Sequence, residues 1–330
     1  MAEIEFSAER GTGFVLLNRP QALNALTLDM CLGFEAELTA WAADPAIRAV
    51  IIRGAGERAY CAGGDIKQLH AVPPDRRVAV GQAFFRAEYR LNYRLRMFPK
   101  PSLSLVHGIV MGGGVGVSVH ASHRVVSEDV TWAMPEMGIG MFADIGCSFV
   151  LPRAPGRIGL YLALTGARLG SADCLYARLA DHIVPRARHE DLVAAIVGGE
   201  TPERAIARFR VEPGPAPLAT QRAEIDRVFA LDGIRRIAAE HPLAGSPTAQ
   251  ALTVQQMNRG ARLPFAECMR MEWRMVNRVI AGHDFYEGIR AQLVDKDRNP
   301  KWRPASLDLV QEAAIARHFD PLPGDELNFA

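Results

Sequence analysis

Apolar residues fall along this chain in two rhythms, and the change from one to the other comes after residue 185. In the first part, short β-branched runs such as GFVLLN (13–18) and RAVIIRG (48–54) alternate with stretches whose apolar positions recur every three to four residues. The short runs predict strands, whose side chains alternate between faces and whose continuous apolar sequence suits a sheet covered on both sides. Between those two runs, Thr27 precedes LDMCLGFEAELTAWAAD, where its hydroxyl can cap the free amides of a helix start. A longer helix is predicted over DRRVAVGQAFFRAEYRLNYRLRMF (75–98). Pro99 and Pro101 end it, because the proline ring removes a donor and clashes with the preceding turn. SLSLV (102–106), HRVVSE and VTWAM then read as strands, and GRIGLYLALTG as a helix closed by Gly166.

DHIVP (181–185) carries the last strand signal. Beyond it the pattern is helical and punctuated by proline, with VEPGPAPL as an exposed connector. SPTAQALTVQQMNRG and FAECMRMEWRMVNRVIAG follow as amphipathic helices. No internal repeat or low-complexity tract is present. The expected architecture is an α/β core over residues 1–190, carrying the active site, and a helical region over 191–330.

Composition narrows the function classes. With 330 residues, 49% of them hydrophobic, the chain can bury a substantial core. Its 38 Lys and Arg balance 37 Asp and Glu, so no broad positive field recruits nucleic acid or anionic lipid, and an anionic ligand must be caught locally. The five cysteines form no C-x-x-C pair, which argues against a zinc site or a disulfide framework. The start, MAEIEFSAERGTGFVLL, alternates acidic and apolar residues where a secretory signal needs a basic start and an apolar block. Together these observations predict a cytoplasmic protein.

The stretch GIVMGGGVGVSVH (108–120) raises a sharper question, since glycine weakens regular structure unless something must approach the backbone closely. A membrane-packing face needs about 18 clean apolar residues, and His107, His120 and His123 interrupt this one. No G-K-[ST] follows any glycine loop, which excludes a P-loop. VIIRGAGERA offers G-x-G-x-x-A at Gly54, Gly56 and Ala59, yet further glycines break the helix a dinucleotide fingerprint requires. Ser118 sits in no G-x-S-x-G elbow, and His120 and His123 have no nearby acidic third ligand for a metal.

Two glycine turns remain, CAGGD (61–65) and MGGGVG (111–116), each after a strand and each opening towards a helix. Unpaired amides at two such turns could hold the oxygen of a polarised carbonyl, an oxyanion hole. Downstream, MPEMGIGMFADIG places Glu136 and Asp144 among apolar neighbours on a backbone too broken by Pro135, Gly138 and Gly140 for a regular helix. These residues alone leave open the plainer reading of two structural turns and two solvated acids.

NRPQALNALTLDM, AYCAGGDIKQL, HGIVMGGGVGVSVHASHRVVSE and MPEMGIGMFADIGCSFVLPR, taken in order, resemble the enoyl-CoA hydratase/isomerase (crotonase) superfamily. The resemblance implies a spiral of ββα units with a helical C-terminal region, and stabilisation of a thioester oxyanion by two amides, here those of Gly64 and Gly113. Hydratases of the superfamily pair two glutamates, and the first of these positions falls on Gly116. Only the second, Glu136, is present. FFRAEYRLN, LALTGARL and DFYEGIRAQLVDKDRNPKW extend the resemblance to the 3-hydroxyisobutyryl-CoA hydrolase branch, whose thioesterases act in valine catabolism. Carried over by position, Glu88, Gly113, Glu136 and Asp144 would bind substrate, with catalysis resting on Glu136, Asp144, Gly64 and Gly113. Ala143 replaces the proline that often precedes the aspartate, and Met137 a small polar residue. Arg19 and Lys296 are weak candidates for the phosphates of coenzyme A. The expected partners are an acyl-CoA substrate and a homo-oligomer, without nucleic acid or membrane. No metal or redox cofactor is implied, coenzyme A being part of the substrate. The alternatives are a hydratase or isomerase acting on another acyl-CoA, and a non-catalytic binding protein of the same fold.

Overall fold

The computed structural model describes residues 2–329. It resolves into two compact units, each assembled from separated segments. The first comprises residues 1–64, 90–133 and 168–220, and the second residues 65–89, 134–167 and 221–330. Residue 190 falls inside a segment of the first unit.

All strands belong to the first unit. β1 (Ile4–Glu9) pairs antiparallel with β2 (Thr12–Leu17), and the sheet continues in parallel through β3 (Ala49–Gly54), β5 (Ser102–Val106), β7 (His123–Val126) and β9 (His182–Ile183). A second parallel sheet holds β4 (Ala59–Cys61), β6 (Ile109–Met111) and β8 (Thr131–Ala133). Each of β3, β5 and β7 is thus followed by a strand of the smaller sheet, giving the repeated ββ step that the resemblance implies. The strands predicted from apolar runs form within a residue or two of their expected bounds. The small-sheet strands β4 and β6 were not predicted, since three residues carry too little periodicity. They are fixed by pairing, Ala59 with Ile109 and Val110 with Trp132.

The central strands of the larger sheet are apolar because they are buried on both faces, whereas the edge strand β1 is largely exposed. Every residue of β5 is buried, and Ile51, Leu103, Leu105 and Val125 pack with Leu192, Ile196, Ile206 and Phe209 of the following helices. Thr27 caps the helix Leu28–Ala43, its hydroxyl accepting the Met30 amide at 3.3 Å.

The second unit is helical. The predicted long helix runs over Arg77–Arg96, the residues through Tyr89 counted in this unit and those from Arg90 in the first, and Gly166 closes Ile158–Thr165 with φ of 62°. Ser246 caps Pro247–Gly260 by accepting the Ala249 amide at 3.2 Å. Helix Phe265–Val279 turns Met269, Trp273 and Val276 inward, all fully buried, as spacings of three and four residues require.

Candidate active site

In the first unit, the glycine turns lie side by side. Leu26 donates its amide to the Gly63 carbonyl at 2.8 Å, and an isolated bridge joins Leu26 to Gly64, fixing the turn after β4. A Cβ on Gly63 would stand 3.2 Å from the Met111 carbonyl oxygen and 3.5 Å from the Gly113 nitrogen, so the CAGGD backbone runs directly against MGGGVG. Gly112 has φ of 50° and directs the chain from β6 into the short helix Gly113–Val119. At Gly114 a side chain is impossible, because its Cβ would lie 2.1 Å from the Cys61 carbonyl oxygen. The turn that carries Gly64 therefore lies against the turn that carries Gly113, and the approach is made by bare backbone.

In the second unit, acids gather without a basic partner. Glu88, on the helix Arg77–Arg96, is 2% exposed, and Glu136 and Asp144, on the MPEMGIG…ADIG segment, are also buried. That segment makes one 3-10 turn, Glu136–Ile139, where Met141 donates its amide to the Glu136 carbonyl at 3.0 Å. Burial lifts the Glu88 carboxyl well above the usual range, and the charges of Asp144 and Glu136 lift it further. Burial and Asp144 do the same to Glu136. Asp144 is raised by burial to about 7, while a hydrogen bond from the Tyr89 hydroxyl, at 2.8 Å, opposes the shift. Glu88 Oε1 and Glu136 Oε2 are buried with no hydrogen-bond partner. Carboxyls with raised proton affinities and unspent acceptors suit general acid–base work.

Two further residues of this site went unnoticed in the sequence. Tyr89 is fully buried and packs edge-on against Trp273 at 6.5 Å and against Phe85 at 6.0 Å, which fixes its hydroxyl on Asp144. Glu272, also fully buried, accepts the amides of Gly146 at 2.6 Å and Ser148 at 2.9 Å, together with the Ser148 hydroxyl. Gln256 donates to the Ala143 carbonyl at 2.7 Å. The loop carrying Asp144 is thus clamped on both flanks by side chains, although Ala143 stands where a proline would stiffen the backbone. Burial raises Glu272 to about 8 against its own hydrogen bonds.

The two candidates for coenzyme A phosphates fall in different units. Arg19 is 8% exposed, pairs with Glu3 at 2.9 Å and donates to the Ala25 carbonyl at 2.7 Å, so its guanidinium ties the 19–25 turn together. Lys296 is exposed on the 295–299 segment with φ of 59°.

The profile of the enoyl-CoA hydratase/isomerase family matches residues 12–319. The chain belongs to that family. A 3-hydroxyisobutyryl-CoA hydrolase of Danio rerio, described as mitochondrial, is 38% identical over 99% of this chain and 91% of its own. Among solved structures, a carnitinyl-CoA dehydratase from Mycobacterium thermoresistibile superimposes with a TM-score of 0.93 at 39% identity, covering 99% of this chain and 98% of that one. An enoyl-CoA hydratase from Rhodobacter sphaeroides superimposes with a TM-score of 0.91 at 40% identity, covering 99% and 100%. The crotonase fold expected from the motifs is therefore the fold of this chain.

The mitochondrial relatives overturn the cytoplasmic placement drawn from the sequence. That inference rested on free cysteines and on a start without an apolar block, and both observations speak only against secretion. No helix among the described residues is long and apolar enough to cross a membrane.

Proposed function

We propose that this enzyme hydrolyses a 3-hydroxyacyl-CoA thioester, with 3-hydroxyisobutyryl-CoA as substrate and 3-hydroxyisobutyrate and coenzyme A as products, a step of valine catabolism. The observation that carries the reading is the Danio rerio hydrolase's likeness over nearly the whole chain, joined to a glycine at 116 where a hydratase places its first glutamate. The amides of Gly64 and Gly113 hold the oxyanion that develops as the carbonyl is attacked. Glu136 attacks the carbonyl directly or takes a proton from the attacking water, and its raised proton affinity favours the second role. In the water route the C–O bond forms from the water oxygen as the C–S bond breaks. In the direct route a Glu136 anhydride forms as the C–S bond breaks, and water then cleaves it to release the acid and restore Glu136. In both, the departing thiolate of coenzyme A takes up a proton. Asp144 binds the 3-hydroxyl, and Glu88 closes the acyl pocket. The step as written draws on no metal or redox group.

The solved relatives described as a dehydratase and a hydratase favour a second reading, addition of water to an enoyl-CoA. One assay separates the two. Purified enzyme is given 3-hydroxyisobutyryl-CoA with a thiol reagent and, separately, an enoyl-CoA whose conjugated absorbance is followed. Thiol release from the first, without loss of absorbance in the second, is expected. Loss of absorbance without thiol release overturns the hydrolase reading.

A further inference from the structure

Asn92 is fully buried on the helix Arg77–Arg96, yet neither Nδ2 nor Oδ1 has a hydrogen-bond partner within the protein. Exchanging the two amide atoms changes nothing, since both are unpartnered. Leaving a buried amide unpaired on both atoms is costly, and such groups are rare in native proteins unless they serve a ligand or a strained site.

The place where this amide lies gives it a use. A Cβ on Gly116 would meet Asn92 Nδ2 at 2.6 Å and its Oδ1 at 3.1 Å, so Asn92 reaches over position 116 only because no side chain grows there. Gly116 follows Gly113 by three residues on the same short helix, which puts both on one helical face about 5–6 Å apart. The bare patch that Asn92 covers is therefore one turn from the amide assigned to the oxyanion.

We propose that Asn92 is a substrate-site residue whose amide hydrogen-bonds a hydroxyl beside the thioester carbonyl. A neutral amide offers one donor and one acceptor edge, which matches a group that both gives and receives a hydrogen bond, and suits neither a bare carboxylate nor an apolar chain. Two hydroxyls share that chemistry, the one on the acyl group and the one of the attacking water. In either case a neutral side chain covers position 116, and Asn92 cannot serve as a second acid or base. The inference rests on the proposed thioester hydrolysis.

The test is Asn92→Leu, which keeps the branched outline and the number of heavy atoms and removes both polar atoms. The expected result is a variant with a thermal midpoint equal to or above that of wild type, whose kcat/KM for the 3-hydroxyacyl-CoA falls at least tenfold. If the acyl hydroxyl is the partner, the matching acyl-CoA without it is hydrolysed as by wild type. If water is the partner, both substrates lose kcat by a similar factor with KM little changed. Wild-type kinetics on both substrates overturn the proposal, as does a loss of activity that follows a loss of thermal midpoint. Should Asn92→Leu not fold, Asn92→Ser carries the same readouts and the same two overturning results. A wild-type enzyme that releases no thiol from either substrate fails the hydrolase reading instead, before any Asn92 variant is compared.

Discussion

Asp144 accepts the Tyr89 hydroxyl on Oδ2 inside an apolar setting, and its proton affinity is lifted to about 7 as a result of burial. If it binds the substrate's 3-hydroxyl, Asp144→Ala leaves that hydroxyl unpaired in a dry site. The expected loss in kcat/KM for the hydroxyacyl thioester is about 10- to 100-fold, the range of a hydrogen bond to a charged group, with a much smaller loss for the acyl-CoA lacking the hydroxyl. Equal losses on the two substrates would remove the recognition role and leave the thioesterase reading intact. The same scale shows what the sequence displays and what it hides. Glu136 and Asp144 stand out in sequence because acids in a proline- and glycine-broken segment have no helical face to decorate. Asn92 and Glu272 sit on apolar helical faces, at positions that follow Phe85, Glu88 and Tyr89 in one helix and precede Trp273 and Val276 in the other. A polar residue in an apolar stripe is a signal, but only its partners, or their absence, tell a structural role from a functional one.

At the scale of elements, the segment from Ala143 to Ser148 is held from outside. Ile145 has φ of 53° and Gly146 φ of 86°, so two successive residues lie in the left-handed region, which a β-branched isoleucine disfavours. The carboxyl of Glu272 gathers the two amides that this bend exposes, and Gln256 secures the carbonyl before it. Glu272→Gln keeps the shape but presents an NH2 where one of those donors must be accepted. A destabilisation of about 1–3 kcal/mol is expected, because a buried donor is left unpaired. Chemical denaturation at pH 6 measures it, and an unchanged midpoint and slope would show that the bend holds itself.

For the whole molecule, a unit that buries Glu88, Glu136, Asp144 and Glu272 must pay for it in proton linkage. Each binds its proton more tightly folded than unfolded, so its stabilisation is complete below the unfolded carboxyl pKa of about 4 and is lost as pH rises through the folded value. Those values are about 7 for Asp144 and about 8 for Glu272. Buried histidines work in the opposite sense. His107 is lowered by burial to about 4, so its contribution is complete above the unfolded value of about 6.5 and fades as pH falls towards 4. Above pH 7 the histidine contribution is fully present and no longer changes with pH, so the acids alone set the slope. The thermal midpoint is expected to fall between pH 7 and pH 9, and to fall less steeply in Glu272→Gln. A midpoint that rises over that window would show that the acids are ionised and paired in the folded state.

Local rules were enough for much of this protein. β-branched runs fixed where β2, β3 and β5 lie, the hydroxyl of Thr27 and the glycine at 166 fixed helix ends, and the order of the glycine and acid motifs identified the family. Each of these is written in neighbouring residues, because strand alternation, helix capping and close backbone approach depend on a few consecutive positions. Only the tertiary structure decided β4 and β6 and their pairing into a small sheet with β8, since three-residue strands exist by pairing with one another. It alone decided that the chain divides into two units interleaved along the sequence, because contacts between residues far apart in the chain leave no periodicity to read. The clamp of Glu272 on the loop of Asp144 joins residues more than 120 positions apart. The unpaired amide of Asn92 over Gly116 was likewise invisible, since burial without a partner is a property of packing and not of any stretch of sequence.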